Sequence, residues 1–335
     1  MRTALLDPSH QGPVPRPAVP VAGIASVAAV LPPDRVANDE IAARIGVTPE
    51  WIVARTGIRE RRRASAGASL TALAAQAGDK ALAAAGVDGA EVDLVLVATF
   101  TQDELLPNAA PLVAAELGAG GAAACDLGAA CTGFITGLSL AAAQIECGRA
   151  RTALVIGADL LSRVTDGHDR QTAALFADGA GAVLLGAGGP GRVGTTILRS
   201  DPSAAGTIVA GRDERLIRME GHDVYRTAVN SLTEITRETL EADGLGVADI
   251  DLFVYHQANA RITRAVGARL GLPAERVVDC IGGHGNTGAA TLPLALCHAA
   301  AEGRLRPGAR LLLAATGAGF VYGAGIVDWD GEAAS

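Results

Sequence analysis

One cysteine lies where a thiol could act as a nucleophile. Cys131 follows the small-residue stretch "DLGAA" and precedes an amphipathic apolar run, within residues 126–146. The start of a helix leaves backbone N–H groups unpaired and carries a partial positive charge, which favours the thiolate form. Most free cysteines are instead small buried apolar residues, so the position alone leaves both interpretations open.

Two polar residues further along the chain could complete a site with this thiol. His256 ends the apolar run "LFVYHQA", and Asn286 lies in the loop "GGHGNTGAAT" before a helical pattern. Strand ends and glycine-rich loops of α/β proteins are where side chains reach a cleft. Taken singly, His256 could be a core histidine, Asn286 a helix N-cap, and His284 a residue that only shapes the loop. Together with the cysteine, His256 and Asn286 are better explained as one nucleophilic site.

Composition and charge limit the classes of function. The 335 residues are 49% hydrophobic and 19% charged, enough for roughly two domain-sized units around a large core. The net charge of −8 argues against a general nucleic-acid binder, so an acidic partner would need a local basic patch. No apolar run has the length of a membrane span without glycine or charge interrupting it.

The cysteines indicate no disulfide or metal site, and the N-terminus indicates no signal peptide or membrane anchor. The chain has no CxxC pair and no histidine at zinc-ligand spacing, so neither disulfides nor a metal site is indicated. Residues 1–21 are proline-rich without a continuous apolar core, which predicts a mobile arm on a cytoplasmic protein rather than a signal peptide or anchor. The five cysteines are Cys125, Cys131, Cys147, Cys280 and Cys297.

Short apolar runs alternate with alanine-rich helical runs along the chain. Continuous apolar strands separated by helices predict a layered α/β protein whose sheets are covered on both faces. The predicted strands are residues 94–100, 153–160, 181–188, 252–258 and 311–319, and the predicted helices are residues 70–85, 132–147, 225–242, 259–270 and 291–302.

An internal repeat indicates duplication. The stretch "AAGVDGAEVDLVLVATF" resembles "ADGLGVADIDLFVYHQA", each a helix end, an acidic turn and an apolar strand. The stretch "CTGF", which begins at Cys131, matches "NTGA", which begins at Asn286, and 286 − 131 = 155. Gly148 and Gly303 end the following helices at the same offset. A pseudo-twofold axis would let Cys131 and Asn286 approach one central site, with residues 22–190 and 191–335 as the two halves.

Five motifs in order resemble the signatures of the β-ketoacyl-acyl carrier protein (ACP) synthase III family. The resemblance covers about residues 21–329 and implies a thiolase fold, with duplicated halves layered α-β-α-β-α. It also implies an acyltransferase that starts a fatty-acid or polyketide chain. The motifs are "EWIVARTGIRERR", "AACTGF", "FADGAGAVLLG", "HQANARI" and "GHGNTGAAT".

The resemblance assigns a role to each catalytic group. An acyl group passes from acyl-coenzyme A (acyl-CoA) to Cys131, and malonyl-ACP then loses carbon dioxide to give an enolate that attacks it. His256 and Asn286 are the expected enolate donors, and the backbone N–H groups of Cys131 and Ala318 form the expected oxyanion hole. Ala318 stands where a glycine is usual. The alternative is an acyltransferase that forms no carbon–carbon bond; Asn286 favours condensation, because simple transfer creates no enolate.

The resemblance also implies contacts with two partners, and it implies no cofactor and no metal. Three arginines on the helix after "HQAN" are expected to dock an acidic carrier protein: Arg261, Arg264 and Arg269. His222 departs from the asparagine that the family commonly has. The expected CoA contacts are Trp51, Arg55, Thr56, Arg170 and Asn259.

Three residues are expected to shape the acyl pocket. Leu106 stands where the family places a side chain that reaches into the partner of a homodimer. Phe134 follows the nucleophile and could shield the site, although a core aromatic is the simpler interpretation. Thr316 replaces a position that is often aromatic. Because Leu106 and Thr316 both leave room, we predict a primer larger than acetyl.

Overall fold

The computed structural model describes residues 20–331. The predicted N-terminal arm, residues 1–21, lies outside the described residues except for its last two positions. The strands are β1 (Ala22–Val30), β2 (Asp34–Ala37), β3 (Glu60–Arg63), β4 (Leu94–Ala98), β5 (Ala123–Leu127), β6 (Thr152–Leu160), β7 (Asp178–Ala187), β8 (Gly191–Ser200), β9 (Ile208–Ala210), β10 (Ile217–Met219), β11 (Leu252–Tyr255), β12 (Ala309–Gly317) and β13 (Val321–Trp329). The helices are α1 (Asn38–Ile45), α2 (Pro49–Thr56), α3 (Leu70–Ala85), α4 (Ala109–Glu116), α5 (Gly133–Glu146), α6 (Gly221–Ala242), α7 (Ala260–Leu270), α8 (Ile281–His284) and α9 (Thr291–Ala301).

The five predicted helices and five predicted strands are all present. The helix α3 has the predicted bounds, because the Ser69 side chain accepts from the Ala72 N–H at its start and Gly86 ends it in the left-handed conformation. The strands β1, β5, β8 and β13 and the helix α4 were not predicted. Alanine and glycine, which are depleted in strands, occur in these strands, and α4 is only eight residues long and contains Pro111.

The main sheet has a symmetric strand order. Its nine strands run β11-β12-β13-β8-β1-β7-β6-β4-β5, so that β1 and β8 lie side by side at the centre. The parallel pair β4–β5 at one edge is matched by a parallel bridge from Phe253 to Val277 at the other. Gly148 and Gly303, at the offset of 155 residues, both have φ near +69°. These features confirm the predicted duplicated fold.

Three apolar clusters define the layers. The central cluster packs α5 and α9 between strands of both halves of the sheet, while α3 and α4 cover one outer face and α6 and α7 the other. The predicted α-β-α-β-α layering is therefore confirmed. Within residues 20–331, no helix is both long and apolar enough to cross a membrane.

Candidate active site

The nucleophile candidate lies in a tight turn between β5 and α5. Cys131 is the middle residue of a single 3-10 turn, and the preceding Ala130 has φ of +44°, which costs a residue with a Cβ about 1 kcal/mol. A Cβ on Gly317 would lie 2.8 Å from the Cys131 backbone nitrogen. Only glycine therefore lets the end of β12 pack directly against the turn that carries the thiol.

The environment of the thiol opposes ionisation. Burial, with a smaller contribution from the Asp159 carboxyl group, raises the pKa of Cys131 to about 12. Burial therefore opposes the thiolate form that a helix start was expected to favour. The 3-10 turn places the thiol ahead of the first residue of α5, and the loss of solvation outweighs the helix terminus.

His256 is held at the end of β11 as a neutral ring. Its backbone N–H donates to the Ala314 carbonyl (2.8 Å), and its Nδ1 lies 2.5 Å from Oγ1 of Thr291. Burial lowers the pKa of His256 to about 3, so the imidazole is uncharged at neutral pH. The following Gln257 accepts from the Cys280 N–H through Oε1 and donates to the Tyr255 carbonyl through Nε2, which braces this strand end.

Asn286 has a fixed amide orientation. Its Oδ1 accepts from the Gly288 N–H (3.0 Å), so the Nδ2 amino group is the part of the side chain that remains available to donate to a ligand. The backbone N–H of Asn286 donates to Leu175, and its carbonyl accepts from the Ala177 N–H. These three bonds leave Asn286 as a neutral hydrogen-bond donor.

One cavity of about 680 Å³ joins the predicted catalytic groups. Cys131, His256 and Asn286 all line it, together with Thr316 and Ala318. Within residues 20–331, no backbone carbonyl accepts from the N–H of Cys131 or of Ala318. Two neutral side-chain donors and two available backbone N–H groups thus surround a thiol, an arrangement that can stabilise negative oxygens formed at a thioester.

Of the three residues predicted for the acyl pocket, Phe134 lies away from the cavity and Thr316 lies on its wall. Phe134 is fully buried in the central cluster, because the first turn of α5 directs it between the sheet halves rather than towards the cavity. Leu106 is 82% exposed and does not line the cavity of the single chain. Thr316 lines the cavity, and its Oγ1 lies 3.3 Å from the Ser231 hydroxyl.

All five residues predicted to contact CoA line the same cavity. The Arg55 guanidinium lies over the Trp51 ring, 5.6 Å from its centroid, in a cation–π contact. Asn259 caps α7 by accepting from the Arg261 N–H and donates through Nδ2 to the Arg55 carbonyl. The Trp51 ring and the Arg55 guanidinium therefore lie at the rim of the cavity, and the Asn259 hydrogen bond connects this rim to the start of α7.

The other two predicted CoA contacts also have structural roles. Thr56 donates through its hydroxyl to the Ile52 carbonyl and accepts from the Ile58 N–H. Arg170 donates through Nε to the Ile45 carbonyl at the end of α1, so only part of its guanidinium is available to a ligand.

The three arginines of α7 lie in different environments. Arg261 lies over the Tyr225 ring and lines the cavity. Arg264 is exposed, whereas Arg269 donates to Oδ1 of Asn230 (2.6 Å) at the far end of the helix.

The sequence interpretation missed a buried carboxyl group beneath the site. Asp159, the acid at the end of the run "ALVIGADL", accepts from the hydroxyl of Thr99 and the backbone N–H groups of Phe100 and Ala289. Burial raises its pKa to about 7. A Cβ on Gly288 would lie 2.3 Å from its Oδ2, so this glycine lets the two halves meet. An acidic residue that ends a buried strand was the available signal.

Residues 125–206 match the 3-oxoacyl-ACP synthase III family, and residues 240–329 match its C-terminal region. β-Ketoacyl-ACP synthase III 2 of Streptomyces coelicolor is 47% identical over 92% of this chain and 94% of its own length. The enzyme of Bordetella petrii is 44% identical over 91% of this chain and 97% of its own.

Solved structures show the same likeness. Synthase III of Pseudomonas aeruginosa superposes with a TM-score of 0.88 at 39% identity, covering 92% of this chain and 98% of its own. The priming β-ketosynthase of the R1128 polyketide pathway gives 0.90 at 34% identity, covering 96% of this chain and all of its own.

Proposed function

Because the chain belongs to the β-ketoacyl-ACP synthase III family, acyltransferases of thiolase fold that catalyse a decarboxylative condensation, we propose that Cys131 is its nucleophile. Cys131 attacks the carbonyl of an acyl-CoA, the carbon–sulfur bond to CoA breaks, and the thiol proton leaves on CoA. The backbone N–H groups of Cys131 and Ala318 hold the intermediate oxygen. Since the thiol is protonated in the free enzyme, its proton is lost only once the thioester is in place.

In the second step, malonyl-ACP loses carbon dioxide and its enolate carbon attacks the acyl-cysteine. The enolate oxygen takes hydrogen bonds from Nε2–H of His256 and Nδ2–H of Asn286. The new carbon–carbon bond forms as the carbon–sulfur bond to Cys131 breaks, and the released thiolate takes a proton from solvent. Both donors are neutral, so they stabilise the enolate without a competing positive charge that would favour the carboxylate before it leaves.

The two partners enter from the cavity rim. We assign the adenine of CoA to the pair Trp51 and Arg55, with Thr56, Arg170 and Asn259 beside them. The exposed Arg261 and Arg264 are the stronger carrier-docking residues, because Arg269 is already bound to Asn230. Thioester exchange and decarboxylation need no cofactor, and we propose that the protein acts in the cytoplasm.

We further propose a homodimer. β5 is an edge strand, and within residues 20–331 nothing pairs with its outer side. Leu105 and Leu106 are exposed nearby in sequence, at 69% and 82%. Unpaired strand edges and exposed apolar side chains are features that proteins usually cover. In such a dimer, Leu106 reaches the partner's acyl pocket. The halves, residues 22–190 and 191–335, remain the proposed domain division, which the strand order supports.

The observation that carries this proposal is the fixed amide of Asn286 on the same cavity wall as the thiol. It predicts that Cys131→Ala abolishes acyl loading, whereas Asn286→Ala still loads acyl groups and loses condensation with malonyl-ACP. Intact-protein mass measures loading, and chromatography of ACP species measures condensation. Full condensation by Asn286→Ala would remove the role of Asn286 and favour simple acyl transfer.

A further inference from the structure

The only side chain in residues 20–331 that hydrogen-bonds to the His256 ring is a threonine. Thr291 is the first residue of α9, and its Oγ1 lies 2.5 Å from Nδ1 of His256. Both residues are 2% exposed, so water cannot readily replace either partner. This hydroxyl takes no direct part in the proposed reaction.

The donor in this short contact follows from counting hydrogen atoms. The Thr291 hydroxyl makes no other hydrogen bond within residues 20–331, so its hydrogen has one acceptor, Nδ1. If Nδ1 carried the proton instead, the hydroxyl hydrogen would be buried without an acceptor. A neutral imidazole that accepts at Nδ1 must carry its proton on Nε2.

The other ring nitrogen is the one open to the cavity. Nε2 has no hydrogen-bond partner within residues 20–331, yet it is not among the buried unpaired atoms, and His256 lines the cavity. Burial also lowers the pKa of His256, so the ring stays neutral with one proton to place. The position of that proton decides whether Nε2 is a donor or an acceptor.

We propose that Thr291 is a positioning residue that holds His256 in its Nε2–H tautomer. The proposal rests on the proposed function, in which Nε2–H donates to the enolate oxygen beside Nδ2–H of Asn286. In the opposite tautomer, the Nε2 lone pair would face the enolate oxygen and repel it. Thioester exchange on Cys131 uses the backbone donors, so it does not depend on this tautomer.

The matched variants are Thr291→Val, which keeps the shape and removes the hydroxyl, and Thr291→Ser, which keeps the hydroxyl. We expect Thr291→Val to load acyl groups at the wild-type rate and to condense about tenfold more slowly, the loss of one buried hydrogen bond. Thr291→Ser should condense near the wild-type rate. Equal losses in loading and condensation, or no rescue by serine, would overturn the positioning role.

A second readout is independent of activity. Nitrogen-15 NMR of histidine-labelled protein distinguishes a protonated from an unprotonated ring nitrogen, and His256→Gln identifies its signals among the six histidines. Wild type should show a protonated Nε2 and an unprotonated Nδ1. Thr291→Val should show the proton on Nδ1 or divided between the two nitrogens. A proton on Nδ1 in wild type would refute the proposal even if Thr291→Val does not fold. Failure of wild type to load or condense would instead refute the proposed function and leave the tautomer result standing.

Discussion

Thr316 should set the size of the primer. It lies at the end of β12 on the cavity wall, where an aromatic ring would fill space that the threonine leaves open. An isovaleryl group has three more carbons than acetyl. At about 0.8 kcal/mol for each buried carbon, full burial favours isovaleryl by about 2.4 kcal/mol, or about 60-fold in kcat/KM for loading. Thr316→Phe should remove most of this preference.

The assay is competition between acetyl-CoA and isovaleryl-CoA, read as the two acyl masses on the intact protein. Thr316→Val is the control, because it keeps the volume and removes only the hydroxyl that contacts Ser231. It should retain the preference for the larger primer. A clear preference of wild type for acetyl-CoA would refute the reasoning, since neighbouring side chains would then have filled the space; Leu106→Phe should in that case change little.

Four further predictions concern the buried acid, the CoA rim and the dimer. Since the pKa of Asp159 is raised to about 7, the folded state keeps a proton that the unfolded chain releases near pH 4. The unfolding free energy of wild type relative to Asp159→Asn should therefore fall as pH rises between about 4 and 7, by at most about 1.4 kcal/mol per pH unit. Urea unfolding of both proteins across this pH range measures the difference, and a difference that does not change with pH would contradict the prediction. Asp159→Asn should also lower the pH at which iodoacetamide alkylates Cys131, and an unchanged profile would mean that the carboxyl group does not act on the thiol. Trp51→Ala should raise the KM for acyl-CoA about tenfold and leave loading from an acyl-pantetheine thioester, which lacks adenine, unchanged; equal effects on both substrates would show that Trp51 does not contact the adenine. Light scattering at micromolar concentration should give a dimer that Leu106→Asp weakens, and a wild-type monomer would count against the inferred partner contacts.

Local signals in the sequence account for much of the fold. Ser69 and Gly86 mark the ends of α3 because their side-chain and backbone preferences act within a few residues. The offset of 155 residues was readable because duplication preserves turn glycines, and Gly148 and Gly303 share a positive φ. By contrast, the sequence does not predict β5, since "AACDL" lacks the β-branched residues that identify strands.

The parts of the site that could not be predicted from the sequence depend on contacts between segments that are far apart in the chain. Thr291 is 35 residues from His256, and Asp159 is 130 residues from Ala289. The first pair forms where α9 packs beside the end of β11 within the C-terminal half, and the second forms only where the two halves meet. The protonation state of Cys131 depends on packing in the same way: a helix start is visible in the sequence, whereas the burial that opposes ionisation is a property of the assembled cavity.

The central claim is that Cys131 carries an acyl group which condensation then removes. The most direct measurement is the intact mass of the protein after acyl-CoA, and again after malonyl-ACP, with peptide mapping of the loaded species. We predict one acyl group on the Cys131 peptide, discharged as a β-ketoacyl-ACP two carbons longer with release of carbon dioxide. An acyl group on another residue would contradict it, as would discharge of the unextended acyl group onto the carrier.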